Sequence, residues 1–126
     1  MTNLAALPLD VAAMRQQLDD DEDLIADVIS LFLDDYSGRL EGLAAALDAG
    51  DAGGVRAAAH TIKGSATYFC AARVVRIAMD LEAASEREDF AVLRGYANSL
   101  NVEVERLADA LRACQTNRQG DGARSL

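Results

Sequence analysis

Apolar residues recur along most of the chain at three- and four-residue intervals, the period of a helix with one buried face. Between Glu22 and Ala49 the seam Ile25, Ile29, Phe32, Tyr36, Leu40, Leu43 and Leu47 predicts one long helix. Gly50 is a natural stop for it, and Asp51 a natural cap for the next helix, which carries Val55, Ala58, Ala59, Ile62, Ala66 and Phe69. A further segment over 72–86 packs through Val74, Ile77, Ala78, Leu81 and Ala84. The last, from about Phe90 to Cys114, alternates four- and three-residue steps through Leu93, Ala97, Leu100, Val104, Leu107, Leu111 and Cys114, which predicts bundle packing and a buried Cys114 thiol. A short helix over Leu9–Leu18 precedes these four. Short connections between long helices predict an all-α fold, an antiparallel up-down four-helix bundle with a short extra N-terminal helix. The bundle domain is expected over 9–114, with a flexible leader over 1–8 and a flexible tail over 115–126.

The same periodicity fixes the direction of the one histidine, His60. On a helical wheel the apolar stripe centres near Val55 and Ile62, and His60 falls roughly 140° away from Val55. Arg56, Lys63, Thr67 and Gly64 fall at about 80–180° from the same origin. His60, Lys63, Gly64 and Thr67 therefore form an outward stripe. A single imidazole cannot build a multi-histidine metal site. An outward one is either a solvated bystander or a working group in proton or phosphoryl chemistry.

Its neighbours favour the working group. Gly64 costs roughly 1 kcal/mol relative to alanine inside a helix, and it clears space one turn from His60 on the same face. Lys63 places an ammonium nearby, suited to a developing phosphate charge. Taken singly, the first also reads as a packing or kink residue and the second as an ordinary surface lysine.

Charge changes the picture further. The net charge is −9, with 12 basic and 21 acidic residues, which disfavours nucleic acid and anionic membranes as partners. Residues 51–79 nevertheless hold Arg56, Lys63, Arg73 and Arg76 against Asp51 alone. The histidine helix and the start of the next form the one basic region of an acidic chain, fit for an acidic partner site or a phosphoryl group. The acids Asp19 to Asp23 lack the glycine and the bidentate glutamate of a calcium loop, because Leu24 and Ser30 stand there, and they read as helix caps. No apolar run is long enough to span a membrane, and the N-terminus lacks a signal peptide's pattern. Cys70 and Cys114 are too few for a disulfide framework, so reduced thiols and a cytoplasmic location are expected.

The segment His60-Thr-Ile-Lys63-Gly64-Ser65, preceded by Ala58-Ala59 and followed by Leu81-Glu82, resembles the histidine-containing phosphotransfer (HPt) domain family. Leu31-Phe32-Leu33 and Gly50-Asp51 resemble that family's entry pattern, and the likeness spans roughly residues 20–113. The resemblance implies that His60 takes a phosphoryl group from a receiver-domain aspartyl phosphate and passes it to another receiver aspartate. It implies a carrier, not an enzyme, with no cofactor or metal of its own, any Mg²⁺ belonging to the receiver. It further implies phosphoryl charge support by Lys63, receiver access and docking at Gly64, Ser65, Thr67 and Arg56, and an imidazole orienter in Glu82. Receivers, including those of hybrid sensor kinases, are the implied partners of a monomer, and Met1 favours a free-standing chain. The chain departs from the family at Cys70, where a glycine is usual, and at Tyr68-Phe69, where a smaller, more polar pair is common. The third helix is accordingly expected to end slightly differently. Two other readings share the bundle: the phosphorylated N-terminal module of a chemotaxis-type histidine kinase, and a helical adaptor that binds receivers without being phosphorylated.

Overall fold

The computed structural model describes residues 8–124, with side chains through 115. Its helices are α1 (Val11–Gln17), α2 (Glu22–Asp48), α3 (Ala52–Thr67), α4 (Ala72–Ala84), followed by a 3₁₀ turn over Ser85–Arg87, and α5 (Phe90–Arg124). The all-α expectation holds, and each bound of α1 to α4 falls within two residues of its expected place. The leader expected over 1–8 lies, apart from Pro8, outside the described residues. The flexible tail expected over 115–126 lies outside the described side chains except for Gln115, while the α5 backbone stays helical to Arg124, well past Cys114.

Acidic side chains start α1, α2 and α3 by accepting orphan backbone N–H groups. Asp10 accepts from Ala13 at 3.1 Å, Asp21 from Leu24 at 3.1 Å and Asp51 from Gly54 at 2.9 Å. Asp21, Glu22 and Asp23 are thus the start of α2, as caps and as dipole complements. Arg15 of α1 pairs with both Asp20 and Glu22 and ties the first turn down.

Helices α2 to α5 close into a ring in which each packs on its sequence neighbour and α5 returns to α2. The pairing is antiparallel: Arg94 near the start of α5 reaches Asp48 at the end of α2, and Gln115 far along α5 reaches Ser30. The predicted seams line the core, including Ile25, Phe32, Tyr36, Val55, Ile62, Leu81, Leu93 and Leu107. Five seam positions are corrections: Leu40, Ala58, Ile77, Ala84 and Cys114 are only half-buried. At Leu40 and Cys114 the reason is that a strict seven-residue repeat drifts by about 20° per heptad on a straight helix; Ala58, Ile77 and Ala84 sit at the edges of their apolar stripes. Burial still pushes the Cys114 thiol pKa up.

Aromatic packing locks α2 to α3. Phe69, fully buried, meets Phe32 edge to face with centroids 5.4 Å apart, and Phe32 stacks on Tyr36 at 5.7 Å. The buried Tyr36 hydroxyl accepts from Arg112 at 2.6 Å and donates to Glu105 at 3.3 Å, joining α2 to α5.

The end of α3 corrects the expectation for Cys70. Helix α2 ends with Gly50 in the left-handed region (φ 65°) and a bond from Asp51 N–H to Ala46 C=O of 2.9 Å. Helix α3 ends in the same motif, with Cys70 at φ 52° and Ala71 N–H bonded to Ala66 C=O at 3.3 Å. The helix does not end differently; it ends in the glycine conformation with a cysteine in place. A β-carbon there costs on the order of 1 kcal/mol. Cys70→Gly is therefore expected to stabilise the bundle by a few tenths of a kcal/mol, up to about 0.5 kcal/mol, in urea denaturation, once the added chain entropy is subtracted. An unchanged or lower midpoint would show that the cysteine side chain contributes more by packing than its backbone costs.

Candidate phosphoryl-transfer site

His60 sits midway along α3 with its side chain 67% exposed, the direction its phase predicts. Helix α4 runs antiparallel beside α3 and brings Glu82 alongside. One carboxylate oxygen, Oε2, lies 3.3 Å from His60 Nδ1, and the other, Oε1, accepts from Lys63 Nζ at 3.0 Å. Lys63 beside it holds the Glu82 carboxyl below the usual carboxylate range, and His60 adds to the effect against the opposing pull of desolvation. An ionised carboxylate can only accept, so Nδ1 is the ring's donor to Glu82 and a neutral ring keeps its lone pair on Nε2.

The other candidate residues divide. Gly64 lies one turn beyond His60, and an added β-carbon would meet nothing within 4 Å. It neither fills a packing gap nor adopts positive φ, so the structure shows no internal reason for its cost in helix propensity. Arg56 is exposed one turn before His60. Thr67 is exposed, but its hydroxyl donates to Lys63 C=O at 2.9 Å. Ser65 is half-buried, and its phase turns it to the flank of α3 opposite Lys63, with its hydroxyl donating to Thr61 C=O at 3.3 Å. Of the proposed set, His60, Lys63 and Glu82 are brought into contact, Gly64 and Arg56 border them, and Ser65 stands apart.

The basic region is smaller than the sequence implies. Arg73 Nη2 donates to Glu103 Oε1 at 2.9 Å, and Glu103, buried on α5, also accepts from Arg106 at 3.4 Å. Glu82 and Glu103 both enter from outside the 51–79 window. Sequence reasoning also missed Ser85, which is buried and donates to Glu82 C=O at 2.6 Å, closing the turn that ends α4 just beyond the carboxylate. A serine three residues after an acid near a helix end was its only signal.

A ring of four antiparallel helices that turns one nucleophilic imidazole outward, beside a lysine and a carboxylate, belongs to the class of helical phosphoryl carriers. The Hpt domain family model matches residues 27–114, and the chain belongs to that family, the histidine phosphotransfer domains of two-component signalling. Among solved structures it is similar to histidine-containing phosphotransfer protein B (HptB) from Pseudomonas aeruginosa PAO1, at 24% identity and a TM-score of 0.80, covering 89% of this chain and 97% of that one. It is also similar to the HPT domain of an Hpt sensor hybrid histidine kinase from Shewanella, at 18% identity and a TM-score of 0.79, covering 91% and 97%. These likenesses establish the fold. No curated protein matches the chain. Among the described residues, no helix is long and apolar enough to cross a membrane.

Proposed function

We propose that His60 accepts a phosphoryl group from the aspartyl phosphate of a response-regulator receiver, such as that of a hybrid sensor kinase, and delivers it to a second receiver aspartate in the cytoplasm. The observation that carries this reading is the exposed imidazole whose Nδ1 faces Glu82, which leaves the Nε2 lone pair for attack. In the forward step Nε2 forms an N–P bond as the P–O bond to the aspartate breaks, and the carboxylate leaves with the bonding pair. The proton on Nδ1 stays on the ring, facing Glu82. In the second step the N–P bond breaks, Nε2 recovers its electron pair, and the new aspartate oxygen takes the phosphoryl group.

Positioning and charge stabilisation supply most of the catalysis in phosphoryl transfer. Glu82 orients the ring and fixes its tautomer. Lys63, held by Glu82 in the unphosphorylated protein, has its ammonium within one turn of the incoming charge, and Arg56 adds to the positive field. Gly64 admits the partner. Mg²⁺ and its carboxylates belong to the receiver.

A round trip tests this reading. The chain is mixed with a receiver phosphorylated by acetyl phosphate, re-isolated, and given to a second, unphosphorylated receiver. It should gain phosphate that is labile to acid and stable to base, then lose it to the second receiver. No phosphate gained overturns the reading, and phosphate that no receiver can remove overturns the relay role.

A further inference from the structure

Helices α4 and α5 leave a groove between them, bordered by Asp80, Ala84, Arg87, Asp89, Val92 and Tyr96. Its middle is apolar, with Val92 47% and Tyr96 37% exposed, and its ends are charged. Asp89 is in use as the cap of α5, its Oδ1 accepting from Val92 N–H at 3.4 Å. Asp80 and Arg87 are not in use: among the described residues, neither side chain has a hydrogen bond or an ion pair. The bond from Arg73 to Glu103 fixes the register of the two antiparallel helices. Counting from it sets Asp80 level with Tyr96 and Ala84 level with Val92, with Arg87 beyond them at the turn. Asp80 and Arg87 therefore stand about 10 Å apart along the groove, too far to meet each other.

We propose that this groove is a two-fold contact between two copies of the chain, with Arg87 of each copy paired to the partner's Asp80. An isologous patch must be its own complement. A groove with opposite, uncommitted charges toward its two ends and apolar side chains between them meets that condition. A two-fold axis level with Ala84 and Val92 lies midway between the two charges. It carries Arg87 onto the partner's Asp80 and, by the same operation, Asp80 onto the partner's Arg87. Val92 then meets the partner's Val92 near the axis. Tyr96, level with Asp80, comes to lie against the partner's Arg87, where a guanidinium on a phenol ring adds to the ion pair.

Other occupants and other surfaces fit less well. By helical phase the groove lies on the flank of α4 opposite Glu82, so a receiver seated on His60 leaves it uncovered. Helix α1 packs at the other end of the bundle, where Arg15 lies near Cys114. The groove between α2 and α5 has its one cation, Arg94, already bonded to Asp48 and to Leu47 C=O, both at 3.3 Å. The dimer does not depend on the phosphorelay reading and leaves both copies of His60 facing outward. Two chains of net charge −9 repel each other, and a contact of this size holds a weak dimer, with a Kd on the order of 10⁻⁵ M. The monomer implied by family resemblance is then the dilute form.

Sedimentation equilibrium over concentrations that bracket this Kd tests the proposal. Arg87→Glu and Asp80→Arg each set like charges against each other across the axis, and each should raise the Kd about tenfold or more. Mixing the two variants in equal amounts should restore association. In the mixed dimer Arg87→Glu faces Asp80→Arg, and the untouched Asp80 faces the untouched Arg87. Met79→Ala, on the Glu82 flank of α4, should associate as wild type does, and so should His60→Gln, which keeps the outcome separate from phosphoryl transfer. A wild type that stays monomeric throughout overturns the proposal, as do a dimer that both single variants keep and a mixture no tighter than either variant alone. If Arg87→Glu instead raises the KM for a phosphorylated receiver where wild type is monomeric, the groove belongs to the receiver and the proposal fails.

Discussion

His60→Gln takes no phosphoryl group from a phosphorylated receiver while melting at nearly the wild-type temperature. The loss is complete because the chain has no second histidine to substitute, and a glutamine amide offers no nucleophilic nitrogen. Stability holds because the side chain is exposed and packs against nothing in the core; such surface changes stay within about 0.5 kcal/mol. Glu82 also keeps its bond from Lys63, so no unpaired carboxylate is left behind. The check is a phosphorylated-receiver incubation followed by acid and base treatment, alongside a thermal melt. Phosphate on the variant at the wild-type level would place the acceptor elsewhere.

Gly64→Gln has the second largest effect, and it separates stability from function. The added side chain meets open space, so the bundle accepts it, and helix propensity raises stability by up to about 1 kcal/mol. The same side chain stands one turn from His60 on the outward face, where it holds a docking domain away from Nε2. Misplacement of reacting atoms by about 1 Å costs on the order of 10²-fold in rate, so transfer from a phosphorylated receiver should fall about a hundredfold. The loss toward phosphoramidate should be far smaller. Rapid-quench transfer kinetics with a urea melt measure both. Wild-type transfer rates in this variant would mean that Gly64 lies outside the covered surface.

The direction of His60 was legible in the sequence because four buried positions on α3, at Val55, Ala59, Ile62 and Ala66, average into one unambiguous phase. The starts of α2 and α3 were legible because an aspartate before an apolar seam has one local use, and Asp21 and Asp51 serve it. Glu82 was found by family resemblance, 22 residues from His60, and the antiparallel hairpin of α3 and α4 is what brings them together.

Pairings across helices were harder to read. The basic excess of residues 51–79 includes Lys63 and Arg73, yet each meets an acid on another helix, Glu82 and Glu103. Such partners depend on the register between helices, which no window along the chain contains. Cys70 shows a different obstacle. Its backbone is set by the Schellman turn that ends α3, and the side chain gives no sign of it, because cysteine is not a residue that favours positive φ. Ser65 shows that adjacency in sequence is not adjacency on a face: it follows Gly64 directly, but a step of about 100° turns it toward the flank of α3 opposite Lys63.

The most direct test of the central claim locates the phosphoryl group on the ring. Protein labelled with ¹⁵N-histidine is phosphorylated by a receiver and examined by long-range ¹H–¹⁵N and ³¹P NMR. The account predicts a phosphorus-bonded Nε2 on His60, with the proton retained on the Nδ1 that faces Glu82. Phosphorus on Nδ1, or on any residue other than His60, would contradict it.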